Sequence, residues 1–128
     1  MTQRDMFAPQ ATGPRVQAFA AFSMTSNPGV AAVGAVVLPP DGGAPVLVSR
    51  RLGFCTCHEA ALASVALAAE TAATVASGAC DVWITHASAV KPLPNATVRH
   101  LHAAVGSRWI DQAKDAARRA LYAQQEVA

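Results

Sequence analysis

The sequence predicts one α/β domain built on a mixed β-sheet, and three observations lead there. Three short apolar runs, the second rich in valine, come first, separated by clusters of turn residues. A long alanine-rich segment without proline follows. A further apolar run and a final stretch with helical spacing complete the pattern.

Taken in order, residues 1–14 mix polar residues with Pro9, Gly13 and Pro14 and show no sustained period. They read as a flexible tail, leaving 15–128 as the domain. Arg15 to Ser23 is apolar and roughly alternating, as a strand requires. Ser26-Asn27-Pro28-Gly29 is a turn signal, because proline fixes φ and glycine permits positive φ. Val30 to Leu38 gives a second strand, closed by Pro39-Pro40-Asp41-Gly42-Gly43. Ala44 to Phe54, with Val46, Val48 and Leu52, completes an antiparallel meander. His58 to Ser77 predicts a helix, with Gly78 where a C-terminal stop belongs. Asp81 to Thr85 reads as a buried strand. Thr97 to Val105 fits either a strand or a helical stripe through Val98, Leu101 and Val105, and Gly106 ends it in both cases. Arg108 to Gln125 is a final helix, with Ile110, Ala113, Ala117 and Leu121 on one face.

A chain of 128 residues suits one domain with one core. With 52% hydrophobic and 14% charged residues, the composition is that of a globular chain and excludes a disordered one. Aromatic residues are 5% of the chain and much of the apolar content is alanine, so the core is expected to be thin. Association with a partner or a second copy would help to stabilise it. The net charge of +2 identifies no partner. The Arg50-Arg51 and Arg118-Arg119 pairs read first as solvated surface and second as phosphate contacts. No apolar run approaches the ~18 residues needed for a membrane helix, so no membrane partner is expected. Three cysteines and no signal-like start imply a reducing, cytoplasmic setting.

From about Arg15 onward, several motifs occur in a telling order. Ser23 is followed by Asn27-Pro28-Gly29 and then Gly34-Ala35-Val36-Val37. Glu59 stands near the start of the long helix, ahead of Ala60, Leu62 and Leu67. Val82 to Thr85 and Gly106-Ser107-Arg108-Trp109-Ile110-Asp111 come next. In this order the chain resembles the type 1 ribonuclease H family, whose members read D-G-S, N-P-G, G-A, A-E-x-x-A-L, T-D-S and G-N-x-x-A-D. None of these motifs is specific alone. The resemblance implies a ribonuclease H-like mixed sheet, here shortened between His86 and Asp111 so that a helix usual there is missing or reduced.

It also implies a two-metal mechanism, in which four carboxylates hold two divalent ions for phosphodiester cleavage. Carried over residue by residue, the first carboxylate falls on Ala21 and is absent. The second is Glu59; the third position holds His86; the fourth is Asp111, or Lys114 in a shifted alignment. No acid between Arg15 and Val37 replaces the first, which bridges the two ions in the family. The asparagine pair that usually precedes the helix glutamate is replaced by Cys55 and Thr56. Asn27 and Thr56 are the remaining weak candidates for nucleic-acid contact, and His102 lies near the family's mobile histidine.

Each of these residues also has a plain reading. Glu59 suits a helix first turn, and His86 suits a hydrogen-bonded strand end. Cys55, Cys57, His58 and Cys80 fall short of a four-ligand zinc pattern and read as small buried hydrophobes. Trp109 reads as core. The expected function is a catalytically inactive ribonuclease H-like module that binds RNA–DNA hybrid or duplex, or else a protein partner. Two alternatives stand beside it: a residual manganese-dependent nuclease using Glu59, His86 and Asp111, and a structural subunit that oligomerises. No cofactor is expected, magnesium or manganese entering only with residual activity.

Overall fold

The computed structural model describes residues 15–76, 79–102 and 107–127. Strands β1 (Val16–Met24), β2 (Gly29–Leu38) and β3 (Val46–Cys55) form the antiparallel meander. Helix α1 (Cys57–Val75) leads to β4 (Cys80–Ile84), a 3-10 turn (Ala87–Ala89), β5 (Thr97–His100) and helix α2 (Arg108–Val127). The five strands lie in the order β3-β2-β1-β4-β5, with β1–β4 and β4–β5 parallel.

Alternation along the strands builds two layers on the sheet. Val16, Ala18 and Ala20 of β1 join Val33, Ala35, Val37, Val82 and Ile84 under the apolar side of α1. Ala21 and Val36 point the other way and meet Ala113 of α2. Strand β2 is therefore buried on both faces, which explains its unbroken apolar run. The core is small in volume: valines and alanines dominate it, and Ile84 and Leu121 are its largest fully buried side chains. Gly34 has a steric reason. A methyl group there would overlap the Ala113 carbonyl oxygen and lie 3.0 Å from the Ala117 nitrogen, so α2 can rest on β2 only because the position is bare.

Several sequence expectations are refined. The third strand starts at Val46, two residues after its expected beginning. The fourth begins at Cys80, and the open segment is a strand over Thr97–His100. Val105, Gly106, Gly78, Ser77 and residues 1–14 lie outside the described residues. Among its described residues, the shortened connection carries a 3-10 turn, an isolated bridge between Leu93 and Ala96, and β5. Of the cysteines, only Cys80 is core; Cys55 and Cys57 are half-buried, because they flank the exposed start of α1. Trp109 is likewise half-buried, at the edge of α2 under the Arg108 guanidinium. No described helix is long and apolar enough to cross a membrane.

Candidate functional site

Topology brings the candidate residues to one end of the sheet. Strands β1, β4 and β5 are parallel, and β3 runs with them because it is antiparallel to β2. Their carboxyl ends therefore coincide, and α1 begins one residue after β3. Ala21, Glu59 and His86 all sit at that end. Asp111 joins them, because Ala113 packs beside Ala21 and over Gly34, the β2 partner of Ala21.

With this arrangement in view, the comparisons are decisive about architecture. The RNase H1 of Halobacterium salinarum NRC-1 superposes with a TM-score of 0.65 at 20% identity, covering 84% of this chain and 97% of that one. The N-terminal RNase H domain of a Mycobacterium tuberculosis protein gives 0.68 at 18% identity, covering 91% and 100%. LC11-RNase H1, solved in complex with an RNA/DNA hybrid, gives 0.66 at 14% identity, covering 89% and 100%. This chain has a ribonuclease H-like fold. Its sequence matches no protein-family model and no curated protein.

In this ribonuclease H-like domain, the candidate residues have local structural tasks. Ala21 is 8% exposed and packs on Val36 and Ala113, with Leu38 and Trp109 at the margin. Glu59 is exposed but turned back on its own helix: its Oε1 accepts the Thr56 N–H at 2.8 Å. The Thr56 hydroxyl in turn accepts the Glu59 N–H at 3.2 Å, closing a capping box. Asn27 adds a third brace, its Oδ1 accepting the Cys57 N–H at 2.9 Å while its amide donates to Cys57 Sγ. Thus Asn27, Thr56 and Glu59 together satisfy amides at the start of α1 that a helix leaves open. The T-x-x-E spacing was a legible signal of this.

His86 is half-buried, its ring edge-to-face with Phe22 at 5.7 Å between centroids. Phe22 belongs to the α1 layer and Ala21 to the α2 layer, so the two positions flank the sheet from opposite sides. Asp111 is exposed in the first turn of α2, and so is Lys114 one turn later. Ser107 caps this helix, its hydroxyl accepting the Trp109 N–H at 3.0 Å.

A two-ion centre needs oxygen ligands converging from several elements. Here position 21 offers a methyl group, one Glu59 oxygen is occupied in the cap, and His86 offers nitrogen. Among the described residues, no three His, Cys, Asp or Glu side chains gather closely enough to hold an ion. The residues present do not fit such a centre. The cysteines do not assemble either, since Cys80 begins β4 at the end of the sheet away from Cys55 and Cys57.

Two clusters went unnoticed in the sequence. At the site end, His58 and His100 bond to the short segment from Thr85 to Ser88, which contains His86, and His102 packs on His100. His86 lies within it; His58 Nδ1 is 2.9 Å from the Ser88 hydroxyl; His100 Nε2 is 3.1 Å from the Thr85 carbonyl oxygen. His102 packs edge-on against His100, 4.6 Å between centroids.

At the opposite end, Asp81 is 5% exposed and receives Arg15 through two nitrogens at 2.8 Å, the Gln17 amide at 2.9 Å and Arg99 Nε at 3.1 Å. The Trp83 indole N–H anchors Gln17 from behind at 2.8 Å. Burial pushes the Asp81 pKa upward, but the hydrogen bonds from Arg15, Gln17 and Arg99 outweigh it and hold the carboxyl below its usual range. Burial, with Asp81 beside it, pushes the Cys80 thiol up to about 11. An acid inside a five-residue apolar strand was the sequence signal for this network.

Proposed function

We propose that this domain binds RNA–DNA hybrid or duplex nucleic acid at the end of the sheet where α1 and α2 begin, without two-metal hydrolysis. The observation that carries the reading is Ala21. Its methyl group is seated against Val36 and Ala113, where the family resemblance requires an ion-bridging carboxylate. The binding half of the proposal draws on the fold. Of its structural neighbours, LC11-RNase H1 was solved with an RNA/DNA hybrid and a foamy viral protease-reverse transcriptase with double-stranded DNA. A cytoplasmic location without a resident cofactor belongs to the same proposal.

The test is filter binding of the whole chain to RNA–DNA hybrid, duplex DNA and single strands across a salt titration, beside a cleavage assay in magnesium and in manganese. Duplex binding that weakens steeply with salt, with the substrate left intact, is the expected result. Absent or salt-independent binding would overturn the proposal in favour of a protein partner. Turnover that disappears in Glu59→Gln would overturn its non-hydrolytic half.

A further inference from the structure

We infer that the four histidines around Thr85–Ser88 form a phosphate-contacting surface, through which the domain grips a nucleic-acid backbone more tightly as pH falls. The inference rests on the nucleic-acid reading above and adds a mechanism to it.

The geometry supports a surface and argues against a metal cage. The imidazoles reach the segment from α1, from β4's exit and from β5's exit, yet no three ligand groups among the described residues close on a point. Donors spread over a rim suit an extended polyanion with successive phosphates, whereas one small cation needs convergence. Three of the four rings have a free nitrogen in the contacts described. His100 Nε2 must carry hydrogen, because the Thr85 carbonyl can only accept, and Nδ1 is left free of that bond. His58 is engaged through Nδ1, leaving Nε2 without a hydrogen-bond partner among the described residues. His86 meets Phe22 edge-to-face, and neither of its nitrogens has a hydrogen-bond partner among the described residues.

The surrounding ionisable groups permit a basic surface. On the α1 side, Glu59 is turned into its cap, and Cys55 is held neutral because burial and then Glu59 raise its pKa. Cys57 accepts from Asn27. From β5, Arg99 is committed to Asp81 at the other end of the sheet. Exposed Lys91 lies in the loop beyond the segment, and α2, on the other face of the sheet, carries exposed Arg108, Asp111 and Lys114. Asp111 is an exposed acid at this end of the sheet that is drawn into no ion pair among the described residues. Four protonated imidazoles would outweigh it, adding to a chain whose net charge is +2 with its histidines neutral.

The experiment is fluorescence anisotropy of a labelled RNA–DNA hybrid with the whole chain, in EDTA at low salt. Since histidine ordinarily titrates near ~6.5, measurements at about pH 8 and about pH 5.5 bracket the change. Wild type should tighten about tenfold or more on acidification, as several added phosphate contacts imply. The variant H58Q/H86Q/H100Q/H102Q should bind alike at both pH values. Arg118→Gln with Arg119→Gln, which removes charge elsewhere on α2, should keep the wild-type pH response. Equal tightening in the histidine variant would overturn the inference. Binding by wild type that ignores pH would overturn it while leaving the nucleic-acid reading intact, whereas no binding at either pH overturns that reading itself. Because the fourfold variant could fail to fold, the histidine Hε1 resonances of wild type provide a second measurement. Their titration midpoints should move up when hybrid is present, and unmoved midpoints with hybrid bound would count against the inference.

Discussion

Where β1 and β4 begin, Asp81 is buried and stays ionised, gripped by Arg15, Gln17 and Arg99. Where the same strands finish, position 21 is a methyl group among methyl groups. The contrast concerns what neutralises a carboxylate taken out of water. Two guanidinium groups and an amide offset the desolvation of Asp81 from within the chain. At the other end an aspartate would depend on bound cations, and the ligands to hold them do not assemble. The retained acid has its partners; the missing one would not.

The largest effect should come from removing the retained acid. Asp81→Ala leaves Arg15 and Arg99 beside an empty buried site, and should cost about 3 kcal/mol, the lower part of the range for breaking a buried pair because both arginines are partly exposed. Urea denaturation reads this directly. The pH dependence has a definite sign. Asp81 is held below its unfolded value, so its stabilisation is present above about pH 4 and fades as pH falls through the lower folded pKa. The gap between wild type and Asp81→Asn should therefore shrink in acid. A gap as wide near pH ~2 as at neutrality would mean that the network acts through packing and not through charge.

Next in size is the converse change, Ala21→Asp, which places a carboxylate where no cation compensates it. A loss of about 2 kcal/mol at neutral pH is expected. The introduced carboxyl should shift in the opposite sense to that of Asp81. The buried carboxyl would have a raised pKa, so the penalty grows as pH rises through the folded value and eases in acid. Thermal melts against wild type at matched pH values should thus show both deficits narrowing in acid, that of Ala21→Asp at higher pH, through its raised pKa, and that of Asp81→Asn only as pH falls through the lowered folded value of Asp81. Millimolar manganese should leave the Ala21→Asp melting temperature unchanged; a clear rise would reveal an ion site that the contacts among Ala21, Val36 and Ala113 conceal.

Much of this contrast was legible in the sequence, and the illegible part has a physical reason. Strand alternation, alanine propensity and motif order gave the architecture, since these depend on neighbours in the chain. Ala21 and His86 were legible as departures from a pattern. The Asp81 network was not, because Arg15 and Asp81 are 66 residues apart and meet only through the parallel pairing of β1 with β4. The histidine cluster is equally non-local, with His58 reaching Ser88 across 30 residues. Thr56 is a different case: its spacing to Glu59 is a capping-box signal that went unread, because the position is where the family places a substrate contact. Thr56→Ala should lower stability by about 1 kcal/mol through loss of the cap. An unchanged midpoint in urea would return Thr56 to the list of residues kept for contact with a ligand.

The smallest expected effect separates the two readings of Glu59 most finely. Glutamine keeps an Oε1 that can accept the Thr56 N–H, so Glu59→Gln removes only the favourable charge at the start of α1, worth about 0.5 kcal/mol. Alanine removes both charge and acceptor, and Glu59→Ala should lose about 1 kcal/mol. The ordering alanine below glutamine below wild type is what a cap predicts. An ion ligand predicts something else: divalent metal would stabilise wild type and leave Glu59→Gln behind, because a neutral amide is a weak ligand for a hard cation. Melting wild type and Glu59→Gln in EDTA and then in manganese therefore decides the matter. Equal gaps in both buffers keep Glu59 in the helix cap, on the same footing as Asn27 and Thr56. A gap that widens in manganese would place an ion at this end of the sheet after all, and the contrast with Asp81 would have to be redrawn around it.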